Sequence, residues 1–287
     1  MTENSSRINS YKIGEGLGAG LKYSRDEAPS TEEYIVKKQS DIEKLAIPEL
    51  APYVEKDIWL IKNINRRFGE ILGPPCCFLY PPFSWVATYL RDSNDLFVDI
   101  YDDPDFVHKM CRFATDLELI LIDRLTEEVN CAFFMPGGFC DILSPDQYSE
   151  FVLPYSAELI NSNPESLFYI SVPGVLDQIT GIYEVIKNHK KLICMGSSLS
   201  PNNPLKNYEE LHQFRKIMDA LERPYQVAID QTTMKMSSPD EIEGIVGKLI
   251  ESCNEANMMF RTDTLDPQTP HQNIDALVWA VEKYGAC

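Results

Sequence analysis

Several apolar runs in the sequence end in side chains that could do chemistry. In "LFYISVPG", residues 167–174, such a run carries Tyr169 and Ser171 to a Pro–Gly turn. "YQVAID", residues 225–230, ends in Asp230, with Gln231 next. A carboxylate delivered to a rim by an apolar strand can be desolvated into a general base. The same residue type also caps helices or closes turns, and both roles stay open for Asp230. "KLICMG" and the residues after it bring Cys194, Ser197 and Ser198, while "NMMFRT" leads Arg261 to Asp263. Cys194 is either a thiol at the site or a packed core cysteine. In "MPGGFCD", Gly137 and Gly138 allow a backbone to approach a ligand closely, or simply make a tight turn. Together this set is polar and uncharged to acidic, with Arg261 beside it.

The elements that must position these residues come in two alternating textures. Short apolar runs bounded by Pro or Gly read as buried parallel strands at 76–80, 131–135, 167–172, 191–196, 225–230 and 257–262. Between them lie amphipathic helices. One starts after "YDDP" with Phe106, Met110, Phe113, Leu117, Ile120 and Leu121 at helical spacing. Another starts at "SSPDE", capped by Ser237 or Ser238 with Pro239 in its first turn, and the last spans about Asn273 to Tyr284. Strand–helix alternation without a nucleotide fingerprint predicts an α/β fold, a (β/α) barrel with its chemistry at the C-terminal strand ends. "GEGLGAG" (14–20) follows no strand and lacks the G-x-G-x-x-G spacing. Residues 1–30 therefore read as an irregular lead-in to a single domain spanning 1–287.

The net charge of −18 disfavours nucleic acid and anionic membrane surfaces as partners. Asp102, Asp103 and Asp105 read as solvated helix ends. The eight cysteines include no C-x-x-C pair, which suits reduced thiols. The start "MTENSSRINS" has neither a basic end nor an apolar run, and the expected location is cytoplasmic. The four histidines, His108, His189, His212 and His271, fall in or beside predicted helices and read as surface residues.

Three longer stretches resemble the uroporphyrinogen decarboxylase family. "PPFSWVATYLRDSNDLFVDIYDDPDFVHKMC" is similar to the turn and helices after one barrel strand. "DILSPDQYSEFVLPY" matches an Ile-Ser-Pro-x-x-Tyr/Phe-x-x-Phe-x-x-Pro-Tyr segment, and "LDPQTPHQNIDALVWAVEKYG" matches a closing Pro-x-Thr-Pro-x-x-Asn helix. "SDIEKLAIPE" fits a segment upstream, and the resemblance runs from about Gly14 to the end. It implies a distorted (β/α)8 TIM-type barrel and two chemistries: decarboxylation of a porphyrinogen without cofactor, or methyl transfer between a corrinoid protein and a small acceptor.

What the resemblance implies for individual residues separates these chemistries. Zinc-dependent relatives hold the metal with a His-x-Cys pair and a later cysteine. Tyr169 stands at the histidine position, Ser171 at the first thiolate and Asp263 near the last, a poor zinc set. Porphyrinogen carboxylates call for an arginine-rich segment with no counterpart before Gly14; Tyr89 alone matches a tyrosine of the family's cleft. Methyl transfer therefore ranks first, with uroporphyrinogen decarboxylase and a non-catalytic accessory barrel as alternatives. On that reading Asp230, Tyr169 and Tyr89 are the catalytic candidates. Ser171, Gly137, Gly138, Cys194, Ser197, Gln231, Arg261 and Asp263 are the ligand-binding ones. The expected partners are a small-molecule substrate and a corrinoid protein presenting its cofactor, with none bound tightly and no metal. The family's first strand has no clear counterpart, so the barrel is expected to be incomplete or distorted at its N-terminal side, with an oligomer or partner contact there.

Overall fold

The computed structural model describes residues 10–24, 29–72, 74–171, 189, 192–199, 208–220, 222, 224–252, 258–262 and 265–285. These gather into two compact units. The first holds the described residues up to Ile170 together with His189, and the second holds Ser171 and those from Leu192 onward.

The first unit begins with α1 (Ser10–Leu17), the antiparallel pair β1 (Gly20–Lys22) and β2 (Ser30–Glu33), α2 (Gln39–Ile42) and α3 (Ala51–Leu72). Then come β3 (Cys76–Phe78), α4 (Pro82–Trp85), a π-helical turn (Val86–Leu90), α5 (Ser93–Asp102) and α6 (Pro104–Glu128). It closes with β4 (Ala132–Met135), a 3-10 turn (Gly138–Ile142), α7 (Pro145–Phe151), α8 (Leu153–Ser162) and β5 (Phe168–Ser171). The strands β3, β4 and β5 are parallel neighbours in chain order, as the apolar runs predict.

Local chemistry sets these elements. Asp103 caps α6 by accepting from the Phe106 N–H, and Pro104 fits the first turn, where no N–H is needed. The α6 stripe of Val107, Met110, Cys111, Ala114, Leu117, Leu121, Ile122 and Leu125 is buried. Each fully covered Leu or Met there contributes about 1.5–3 kcal/mol relative to exposure. Ser144 and Gln147 form a reciprocal capping box at α7.

Residues 10–17 are helical, not part of an irregular lead-in. The glycines that discourage a helix in the sequence serve close packing. A Cβ on Gly14 would stand 2.6 Å from the Tyr89 ring, and one on Gly16 would stand 2.3 Å from the Tyr53 hydroxyl. Ile13 is buried, and Gly18, at φ +109°, ends the helix. Downstream, the π turn leaves three carbonyls for the N-terminal segment: Thr31 Oγ1 donates to Thr88, and the N–H groups of Ile35 and Val36 donate to Tyr89 and Leu90. The wide turn itself is closed by Arg91 N–H to Val86 C=O at 3.0 Å, an i to i+5 bond.

The second unit contains β6 (Leu192–Leu199), α9 (Tyr208–Ala220), β7 (Tyr225–Ile229), α10 (Gln231–Met236), α11 (Pro239–Ser252), β8 (Met258–Thr262) and α12 (His271–Tyr284). Here too the strands are parallel neighbours in chain order, with a register shift between Met195 and Ser198. Tyr225, Val227 and Ile229 are buried on one strand face, with Tyr225 edge-on to Phe214 of α9 at 5.4 Å. Ser238 is the residue that caps α11, in a box with Glu241. Among the described residues no helix is long and apolar enough to cross a membrane.

Two histidines depart from the surface expectation. His189 is buried, edge-on to Phe168 with Nε2 3.4 Å from the Asn163 carbonyl. His108 is half-buried, stacked on Phe151 and bonded through Nδ1 to Tyr155 Oη at 2.8 Å. His189 packs on strand β5 and His108 on α7 and α8, contacts that sequence position alone does not show.

Candidate functional site

Within the first unit, register aligns Phe78, Phe134 and Tyr169 in one row across β3, β4 and β5. The alternate row of Cys77, Phe133 and Phe168 is fully buried, so side-chain alternation puts the half-buried Phe78–Phe134–Tyr169 row on the opposite face. The Phe78 ring meets Phe134 edge-on at 4.9 Å and Tyr80 at 5.9 Å, and Tyr80 meets Tyr89 at 6.2 Å. Burial, and then the neighbouring Cys76, raise the Tyr169 phenol above its ordinary range, so it stays a neutral hydroxyl. A neutral phenol orients a ligand and is a poor metal ligand.

Tyr89 is a core residue. Its side chain is 0% exposed, its hydroxyl lies 3.0 Å from Ser10 Oγ, and its ring is walled by Trp85, Tyr11 and Gly14. Burial pushes its phenol well up. It offers no surface to a substrate, which withdraws the catalytic role that the resemblance implies. Gly137 and Gly138 form the tight turn. Gly138 has φ +54°, and a Cβ there would stand 2.8 Å from Ser84 Oγ, which donates to the Gly137 carbonyl at 3.2 Å.

One residue of this unit went unnoticed in the sequence. Glu118 sits in the middle of the apolar stripe of α6 and is wholly covered. Strand pairing of β3 with β4 ends at the Leu79 N–H, which donates to the Phe134 carbonyl at 2.9 Å. The next N–H, of Tyr80, donates to the Glu118 carboxyl, and Pro81 and Pro82 have none. Among the described residues the Glu118 Oε2 atom has no hydrogen-bond partner, and burial lifts the carboxyl to about 8. The available signal was a charged residue at i+4 from Ala114 and i−4 from Ile122, inside an otherwise apolar stripe.

In the second unit Asp230 follows β7 and is buried. Its Oδ1 accepts from the N–H groups of Thr232 and Thr233 at 2.9 and 3.1 Å, and Oδ2 accepts from Thr233 Oγ1. Both oxygens serve as the N-cap of α10, so of its two open roles the geometry supports the cap. Gln231 is the exposed first residue of that helix. Arg261 lies half-buried in β8 opposite Ala228, with Nη1 3.5 Å from the Thr262 carbonyl. Lys235 pairs with Asp266 at 3.1 Å. Asn273, from the closing Pro-x-Thr-Pro-x-x-Asn motif, donates to the carbonyls of Met234 and Ser237 at 2.9 and 2.8 Å and so fixes the end of α10. Cys194 stands in register with Tyr225, Ser197 falls in the shifted stretch of β6, and Ser171 ends β5. The side chains of these three, and all of Asp263, lie outside the described residues.

Tyr169 thus shares a sheet face with Phe78 and Phe134, while Gly137 and Gly138 are tied to α4 through Ser84. Asp230 and Gln231 share one cap. Among the described residues no three His, Cys, Asp or Glu side chains are placed to hold a metal ion. A groove of the first unit, about 830 Å³, is lined by Pro74, Asn130, Cys131, Asn163, Ser166 and Leu167 at the N-terminal strand ends, away from these residues.

The curated relatives include uroporphyrinogen decarboxylases of Campylobacter fetus subsp. fetus (strain 82-40) and Hydrogenovibrio crunogenus (strain DSM 25203 / XCL-2). The first is 25% identical over 186 residues, 59% of this chain and 52% of the relative. The second is 25% identical over 156 residues, 52% of this chain and 43% of the relative. The chain spans about half the length of the curated relatives it matches. A methyltransferase from Methanosarcina mazei shares the fold with a TM-score of 0.71 at 15% identity, covering 96% of this chain and 78% of that one. A match to the family "Uroporphyrinogen decarboxylase (URO-D)" covers residues 11–284. Family and fold likeness together imply the TIM-barrel class for this parallel α/β chain, and the chain belongs to the uroporphyrinogen decarboxylase (URO-D) family.

Proposed function

We propose that this family member moves a methyl group between a corrinoid protein and a small acceptor. The observation that carries the reading is the uncharged aromatic row of Phe78, Phe134 and Tyr169, with Tyr80 beyond it. No Lys or Arg lies in β3, β4 or β5. A porphyrinogen bearing many carboxylates requires cations to repay its desolvation, and a chain of net charge −18 without them at these strands repels it. Apolar rings instead suit a flat macrocycle edge or a small uncharged acceptor. The fold likeness to the Methanosarcina mazei methyltransferase adds support.

A corrinoid presented by a partner protein would supply the methyl group. The chain's own part is to exclude water with the aromatic row and to orient the acceptor through the Tyr169 hydroxyl. Tyr169 at the histidine position leaves zinc out of the proposal. No tightly bound cofactor and a cytoplasmic setting go with it.

Visible-absorbance titration of the protein with methylcobalamin, run beside one with uroporphyrin, tests the reading. Saturable corrinoid binding that weakens in Tyr169→Ala is expected. Porphyrin binding with turnover of uroporphyrinogen would replace it with the decarboxylase reading, the name borne by both curated relatives. Binding of neither ligand would favour the accessory barrel.

A further inference from the structure

We propose that Cys77 and Cys131 form a two-coordinate site for a soft monovalent metal ion, of the Cu(I) class, at the N-terminal ends of β3 and β4. Cys76 pairs with Ala132 and Cys77 with Phe133, and the Ala132 N–H donates to the Pro75 carbonyl at 2.9 Å. Side chains alternate along a strand, so Cys77, Phe133 and Cys131 share one face of the sheet and Cys76 points to the other. On the shared face the Cys77 and Cys131 thiols are in hydrogen-bond contact. Both are free thiols, and both are buried.

Two touching thiols satisfy each other poorly, because S–H is a weak donor and sulfur a weak acceptor. Contact with Cys131, and then burial, keeps the proton on Cys77. A metal ion displaces such protons and binds the thiolates. Cys131 also stands in the wall of the groove of about 830 Å³, which gives the ion an entry path. Glu127, Glu128 and Glu165 line the same groove, and among the described residues no Lys or Arg does. Lys62 and Arg124 reach Glu128 without lining the groove themselves. Asp57 of α3 adds negative potential at Cys77. The entrance therefore favours a cation over an anion.

Ligand number and softness select the ion. Calcium and magnesium take six or more oxygens, and a structural zinc takes four ligands. Among the described residues no three His, Cys, Asp or Glu side chains converge here or elsewhere. Two thiolates alone suit Cu(I). On binding, both S–H bonds break, two metal–sulfur bonds form and two protons leave to water. No electron is transferred, and the site keeps one negative charge. It takes no part in the proposed methyl transfer and is tested apart from it.

Anaerobic titration of the full chain with Cu(I), in competition with bicinchoninate, is the test. One ion per chain is expected, with two sulfur neighbours alone in the copper X-ray absorption spectrum. Cys77→Ala and Cys131→Ala should each weaken binding by more than about a hundredfold, beyond what loss of an outer-shell partner costs. Cys76→Ala, and Cys111→Ala at a second buried thiol, should leave it unchanged. Because two protons leave with each ion, affinity should rise about a hundredfold per pH unit while both thiols are protonated. Circular dichroism identifies any variant that misfolds, and the parent's sulfur count and pH slope stand without variants. A parent that binds no Cu(I), binding that survives loss of either thiol, a third neighbour at copper, or an affinity indifferent to pH would each overturn the proposal.

Discussion

Replacing Glu118 by Gln separates the charge of this buried carboxyl from its shape. In the folded chain Glu118 titrates near 8, against 4.5 when unfolded. Between those values the folded state keeps a proton that the unfolded state has lost, so stability falls as pH rises from about 5 to 8 and levels off above. At about 1.4 kcal/mol per unit, this one group withdraws about 5 kcal/mol across the interval. Glutamine keeps an oxygen for the Tyr80 N–H and carries no charge at any pH. The variant should therefore match the parent within about 1 kcal/mol at pH 5 and exceed it by several kcal/mol at pH 9. Urea unfolding of both proteins, followed by Trp fluorescence at a series of pH values, measures the difference, in which the titration of other groups cancels. A difference that does not change with pH, or one that favours the parent at high pH, would refute the reasoning.

The remaining predictions concern groups whose role the geometry makes structural. Asp230→Ala should cost about 1–2 kcal/mol by removing the cap of α10, whereas Asp230→Asn should cost less, because its side-chain oxygen still accepts; equal losses in urea unfolding would count against the cap. Gly138→Ala should lower stability by about 1–3 kcal/mol, from positive φ together with the Ser84 contact, and Ser84→Ala should recover part of that loss in a double-mutant cycle of melting curves. Asn273→Ala strands two carbonyls and should cost about 2–3 kcal/mol, with faster amide exchange confined to α10 and the start of α12; uniform exchange across the second unit would speak against a local clamp.

The parallel strands were legible because each is a short apolar run stopped by Pro, Gly or a polar residue, and the helix from Pro104 because its apolar positions recur at helical spacing. Helix Ser10–Leu17 was not. Its glycines lower intrinsic helicity, and the reason for them is the nearness of Tyr53 and Tyr89, which are 37 and 75 residues from Gly16 and Gly14. Asp230 was found as the end of an apolar strand, but base and cap use the same residue type there, and only its three donors distinguish them. Tyr89 followed from a resemblance, and its burial depends on Ser10 and Tyr11, contacts no local pattern encodes. Glu118 was hidden because a single carboxylate within an apolar stripe reads as noise until its bond from the Tyr80 N–H, just ahead of two prolines, is seen.

The π turn at Val86–Leu90 bears on how this segment can vary in length. Its i to i+5 closure absorbs one more residue than an α turn would. Deleting a single residue here would convert it to ordinary helix and swing each side chain between the deletion and Leu90 by about 100°. Tyr89 would leave its niche between Trp85 and Gly14, and the carbonyls that receive Thr31, Ile35 and Val36 would turn away. A one-residue gap in this stretch is therefore a phase change in a rigid shaft. Relatives should change its sequence more freely than its length.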